Sequence, residues 1–169
     1  MGESKIPLFK VFMPDNVIAS LQDTLNSGYI AEGKKTFEFN KKVSEFIQNP
    51  KTVLVNSGTT ALQIAYRLSD VGSGDEVITT PLTSIATNVP ILSLGAKPVW
   101  ADVDPETGLS DLKDIEKLIN NKTKAIVILH KDGDIANLDE LNILADKYSV
   151  KVIEDAAHAF GAKYRNRMI

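Results

Sequence analysis

Cysteine is absent from all 169 residues, which removes disulfide frameworks, thiolate zinc sites and cysteine nucleophiles together. The same absence leaves the redox compartment unread. Long hydrophobic runs are missing too. The longest aliphatic stretch, Ala125 to Leu129, is far too short to span a bilayer, and Met1 to Pro7 holds no apolar segment of signal-peptide length. A cytoplasmic protein without membrane attachment is therefore expected. No excess of one charge stands out: the formal net charge is -3, with acidic and basic residues interspersed. That pattern offers neither a basic face for nucleic acid nor a polybasic anchor for an anionic membrane. No internal repeat, low-complexity tract or obvious linker is present. What remains is 43% hydrophobic and 24% charged, the composition of a soluble globular chain able to bury a sizeable core.

Short aliphatic runs alternate with amphipathic stretches, the pattern of parallel strands joined by crossover helices. Strands are expected at Thr52 to Val55, Glu76 to Thr79, Pro98 to Ala101, Lys124 to Leu129 and Lys151 to Glu154. Helical spacing of apolar residues predicts helices from Thr59 to Leu68, from Asp111 to Ile119, and after Asn137, where Leu138, Leu141, Leu144 and Tyr148 share a face. Asn137 with Glu140 forms a plausible cap. Gly72-Ser73-Gly74-Asp75, Gly95-Ala96-Lys97-Pro98 and Asp104-Pro105-Glu106-Thr107-Gly108 supply the turns. Residues 1–50 differ. They read as a helical arm, with polar helices at about Asp15 to Ser27 and Thr36 to Ile47 around a Gly28-Tyr29-Ile30-Ala31-Glu32-Gly33 loop, ahead of an α/β portion over 51–169.

Two segments carry chemistry. At Val55-Asn56-Ser57-Gly58-Thr59-Thr60-Ala61-Leu62 an apolar run ends in small polar residues and a helix begins at once. Free amides at a helix N-terminus, with the dipole behind them and a glycine permitting close approach, favour a phosphate group. Taken alone, such a turn also serves many α/β proteins simply as a cap. The second segment is Val152-Ile153-Glu154-Asp155-Ala156-Ala157-His158-Ala159-Phe160-Gly161. A carboxylate at the carboxyl end of a strand sits where open α/β sheets bind their ligands. Read alone, Asp155 is a capping or solvated aspartate, and His158 a half-buried structural histidine.

Taken together and in order, these segments resemble the large domain of the DegT/DnrJ/EryC1/StrS family of pyridoxal-phosphate-dependent sugar aminotransferases. The resemblance begins at Ile6-Pro7-Leu8-Phe9. It continues through Ser27 to Gly33, Asn56 to Leu62, Gly74-Asp75-Glu76-Val77-Ile78, Gly95-Ala96-Lys97-Pro98-Val99 and Lys122-Thr123-Lys124-Ala125-Ile126 to the acidic strand end. It implies an α/β fold of three layers, a mostly parallel mixed sheet flanked by helices, as in the large domain of fold-type I pyridoxal-phosphate enzymes. It implies pyridoxal 5'-phosphate as cofactor. Gly58, Thr59 and Thr60 would hold its phosphate, Asp155 would pair with its ring nitrogen, and His158 would lie near its ring hydroxyl. A carboxylate at Asp155 keeps the ring nitrogen protonated, and a protonated ring is the better electron sink. Tyr29 would contact the sugar nucleotide. The implied partners are a nucleotide-sugar substrate, an amino donor such as glutamate, and a second copy in a homodimer of the complete protein; no metal is implied.

The sequence departs from the family pattern in places. Ser84 stands where many members carry an aromatic residue that stacks on the cofactor ring. His130-Lys131-Asp132-Gly133-Asp134 replaces a more usual aromatic-glycine turn. His130 and Trp100 read as structural residues. The Schiff-base lysine of the family is expected beyond Ile169, and neither Lys131, Lys151 nor Lys163 is placed to replace it, since a nucleophilic amine must be aimed at the cofactor carbonyl. The alternatives are a dehydratase of the same family, with histidine in place of that lysine, and a non-catalytic remnant that keeps the cofactor cradle. A generic nucleotide-binding module is disfavoured because no Gly-x-Gly-x-x-Gly or Walker-type loop is present.

Overall fold

A computed structural model describes Pro7 and residues 10–169; Ile6, Leu8 and Phe9 of the first resembling segment lie outside the described residues. The chain forms two compact units that divide between Val43 and Ser44.

In the first unit, α1 (Val17–Asn26) and α2 (Lys34–Phe46, whose last turn passes into the second unit) fall where two polar helices were expected. Gly28, at φ 76°, follows α1 in the left-handed conformation that closes many helices. At the start of α2 the Thr36 hydroxyl accepts from the Gly33 amide at 3.5 Å, while the Phe37 amide donates to the Gly33 carbonyl at 3.1 Å. This exchange moves the helix start ahead of the expected Thr36. Neither helix has a buried residue.

The second unit is built on a sheet. Its elements are α3 (Gly58–Leu68), β1 (Glu76–Thr79), α4 (Ile85–Ser93), β2 (Lys97–Trp100), α5 (Leu112–Leu118), β3 (Thr123–Leu129), α6 (Leu138–Tyr148) and β4 (Lys151–Asp155). A small hairpin follows, β5 (Lys163–Tyr164) with β6 (Arg167–Met168). The main sheet has the order β2-β1-β3-β4, and all its pairings are parallel. The antiparallel component lies apart, in the β5–β6 pair.

Alternation along the strands makes the three layers. Val77, Ala125, Val127 and Ile153 pack with Leu62 and Tyr66 of α3 and Ile91 of α4. The alternate residues Ile78, Ile126 and Ile128 pack with Ile115 of α5 and with Leu141 and Leu144 of α6. Because β1 and β3 lie between other strands and under helices on both faces, they read as nearly unbroken apolar runs.

Three features differ from expectation. Thr52 to Val55 is not a strand: among the described residues no strand pairs with it, and Val53 is 77% exposed. Helix α4 was not foreseen, because it is apolar on most sides and contains Pro90, which masks helical periodicity. The β5–β6 turn places Arg165 and Asn166 at φ 47° and 66°; asparagine favours that conformation, but arginine gives no such signal.

Candidate functional site

Chain direction decides what meets where. Helix α3 feeds β1 through Gly72 to Asp75, where the Gly72 amide donates to Asp75 Oδ2 at 2.9 Å and the Gly74 amide to the Gly95 carbonyl at 3.3 Å. Its C-terminus therefore lies at the amino edge of the sheet and its N-terminus at the carboxyl edge. Helix α4 starts just after β1 and ends beside Gly95, so it has the same direction. Asp155 ends β4 on that edge. Gly58, Thr59, Thr60, Ser84, Asp155 and His158 thus all stand at one edge of one sheet, where open α/β sheets place their ligands.

Ser57 caps α3 and accepts from the Thr60 amide at 3.2 Å. The Thr60 hydroxyl lies 3.0 Å from Ser57 Oγ and donates to Asn56 Oδ1 at 2.9 Å. The first bond of the helix ladder runs from the Ala61 amide to the Ser57 carbonyl. The amides of Gly58 and Thr59 consequently fall outside the ladder and point off the helix end. A Cβ added at Gly58 would meet nothing within 4 Å, so the approach to those amides is open.

Asp155 is buried, at 9% exposure. Its Oδ2 accepts from the Thr87 hydroxyl at 2.7 Å and its Oδ1 from the Ala157 amide at 3.2 Å. Thr87 Oγ1 also lies 2.8 Å from Thr83 Oγ1, and the buried Tyr66 hydroxyl donates to the Thr87 carbonyl at 2.9 Å. Burial, and secondarily the negative charge of Asp155, push the Tyr66 phenol above its ordinary range: both disfavour the phenolate. Thr83, Thr87 and Tyr66 were not singled out from sequence. A threonine among apolar neighbours, in a helix that the pattern hid, gave no signal.

Ser84 is exposed and caps α4, accepting from the Ala86 amide at 3.3 Å. His158 is half-exposed, with Nδ1 3.6 Å from Asp132 Oδ1. Lys131 pairs with the same carboxylate. The Lys131 hydrogen bond, then its charge and that of His158, hold the Asp132 carboxyl below its usual value. His130 is fully buried. Its Nδ1 accepts from the Ala136 amide at 3.3 Å, which leaves Nε2 to donate to Glu154 at 2.9 Å, and its own amide donates to the Asp155 carbonyl at 3.0 Å. His130 accordingly ties β3 to the last residues of β4 and to the loop before α6. Trp100 is half-exposed at the end of β2.

Tyr29 belongs to the first unit and is 77% exposed. It lines a cavity of about 340 Å³ together with Ser27, Gly33, Lys34 and Lys35. Among the described residues, no group of three or more His, Asp or Glu side chains is placed to hold a metal ion, and no helix is long and apolar enough to cross a membrane.

A family model described as the DegT/DnrJ/EryC1/StrS aminotransferase family matches residues 13–169. The UDP-4-amino-4-deoxy-L-arabinose–oxoglutarate aminotransferase of Shewanella sediminis (strain HAW-EB3) is 35% identical over 169 residues, which is 100% of this chain and 44% of that protein. Among solved structures, the sugar aminotransferase CalS13 from Micromonospora echinospora superimposes with a TM-score of 0.92 at 38% identity, covering 98% of this chain and 47% of that one. Spr1654 from Streptococcus pneumoniae, solved in its PLP-form, does so with a TM-score of 0.92 at 32% identity, covering 98% and 46%. The chain spans less than half the length of the curated relatives it matches.

Proposed function

The chain belongs to the DegT/DnrJ/EryC1/StrS aminotransferase family, and from that membership we propose that it carries the cofactor cradle of a pyridoxal-5'-phosphate-dependent aminotransferase acting on a nucleotide-linked keto sugar. One observation carries this: a buried carboxylate, Asp155, and the free amides at the start of α3 stand at the same edge of the sheet. The name of the Shewanella relative joins a UDP-linked amino sugar to oxoglutarate, which supports glutamate as amino donor.

The residues fit the cofactor. Its phosphate needs converging donors and space, and the Gly58 and Thr59 amides with the helix dipole behind them offer both. Its ring nitrogen needs an acceptor, and a carboxylate with about four lone-pair positions, two of them used by Thr87 and Ala157, has capacity left. When bound, the cofactor supplies the carbonyl that takes up the amino group and the ring that withdraws electrons from the reacting carbon. Asp155 holds the proton on the ring nitrogen. The Thr60 hydroxyl, which donates to Asn56 and lies against Ser57, braces the turn beside the phosphate. His158, with Nδ1 turned to Asp132, keeps its other nitrogen for the ring hydroxyl. Ser84 leaves a small polar cap where an aromatic ring would stack. In the first unit, Tyr29 is the sugar-nucleotide contact. Lys34 and Lys35 beside it make exposed pairs to Glu38, at 3.9 and 3.7 Å, which cost little to release toward a phosphate. A homodimer of the complete protein and a cytoplasmic location complete the reading.

Titration of the chain with pyridoxal phosphate, followed by cofactor absorbance and fluorescence, tests the cradle. Asp155→Ala is expected to weaken binding by at least about tenfold, the loss of one charge-assisted hydrogen bond, and removal of the phosphate group from the ligand should weaken it further. Equal affinity of wild type and Asp155→Ala would sink the assignment.

A further inference from the structure

A buried carboxylate is costly unless donors reach it, and at Asp155 the donors come in a fixed order. An ionised carboxylate only accepts hydrogen bonds, so the single proton of the Thr87 hydroxyl is committed to Oδ2 at 2.7 Å. In the 2.8 Å contact between Thr83 and Thr87, Thr83 must then be the donor. The polarity runs one way, from Thr83 to Thr87 to Asp155. The backbone from which the Thr87 hydroxyl projects is pinned separately: its carbonyl accepts from Tyr66 at 2.9 Å and its amide donates to the Ser84 carbonyl at 3.0 Å. Thr87 is 1% exposed, so water does not compete for the bond.

We propose that Thr87 is the positioning residue of Asp155: its hydroxyl, oriented by Thr83, fixes the carboxylate rotamer so that the remaining acceptor positions meet the protonated ring nitrogen of the cofactor. The role rests on the cofactor assignment given above. It follows the general requirement that a charged group be held in its working geometry before the ligand arrives. A valine at 87 has nearly the same shape and no donor; a serine keeps the donor.

The experiment titrates the full 169-residue chain with pyridoxal phosphate and with its 1-deaza analogue, in which C–H replaces the ring nitrogen. A wild-type preference for the nitrogen-bearing compound reports its pairing with Asp155. Thr87→Val, with native circular dichroism, is expected to cut that preference about tenfold, and Thr87→Ser to restore it. Equal binding of both compounds by the wild-type chain removes the Asp155 assignment and the positioning role with it. A preference that persists undiminished in folded Thr87→Val overturns the role of Thr87 alone. If Thr87→Val does not fold, Thr83→Val removes only the orienting donor and carries the same comparison. A second readout needs no cofactor. Three-bond couplings across χ1 of Asp155 should report one rotamer in the wild type and averaging in Thr87→Val, and a single rotamer in both overturns the proposal.

Discussion

Tyr66 is the largest side chain fully buried in the second unit, and its hydroxyl is the one polar atom it brings into the α3–α4 layer. Donation to the Thr87 carbonyl satisfies that atom; Tyr66→Phe would orphan the carbonyl and cost about 1–3 kcal/mol. The pH dependence has a definite sign. The folded phenol titrates above its ordinary value because burial, and then Asp155, disfavour the phenolate. Its contribution to stability is therefore complete below about pH 10, the unfolded value, and is lost as pH rises beyond it. Urea unfolding from pH 7 to 11 should show wild-type stability falling at the alkaline end, with the gap to Tyr66→Phe narrowing. A constant gap across that range would contradict the coupling. The same residue scale shows what sequence can deliver. Asp155 was legible because it ends an apolar strand, whereas Thr87 was not, because its meaning depends on a partner 68 positions away.

Among the elements, the turn after β4 has a tight local requirement. Gly161 adopts φ +88°, and a Cβ there would approach Phe46 Cζ to 3.3 Å, the ring that stacks on Phe160 at 5.5 Å. Left-handed backbone alone costs a non-glycine residue about 1–2 kcal/mol. Gly161→Ala should lower the unfolding free energy by about that amount, read as a lower urea midpoint, and loosen the His158 turn, read as line broadening of the Phe160 ring in NMR spectra; an unchanged midpoint would count against the packing described. Element boundaries were legible where local chemistry set them. The caps Ser57, Asp111 and Asn137 each accept from an amide of the first helical turn, and the periodic faces of α3, α5 and α6 announced themselves. Thr52 to Val55 was misread for the opposite reason, since a short apolar run is a strand only when a neighbour pairs with it. No strand does so among the described residues.

At the scale of the molecule, β1 and β3 each lie between two other strands and under both helical layers. Native-state hydrogen exchange should find its slowest amides there, from Val77 to Thr79 and from Ala125 to Leu129. The helices α1 and α2, which bury no side chain, should exchange by local opening well before the sheet. Comparable protection in both units would require a single cooperative structure instead. The parallel strands and their crossover helices could be anticipated because alternation of short apolar runs and amphipathic helices is a property of each segment, and the family resemblance implied the three layers. The candidate site could be anticipated only in outline: chain direction delivers the helix N-termini and Asp155 to one edge, while the Thr87 hydroxyl that holds the carboxylate comes from the helix the pattern concealed.

The single tryptophan ends the edge strand β2 and is 50% exposed, outside both buried clusters. Its indole therefore emits from a partly hydrated setting in the native state, and iodide will quench it without unfolding. A fluorescence melt of this chain follows the fraying of one sheet border more than collapse of the interior. Because β2 points to the same edge as Asp155, Trp100 is also an intrinsic donor for energy transfer to any pyridoxal chromophore seated there, an optical gauge of occupancy that needs no label.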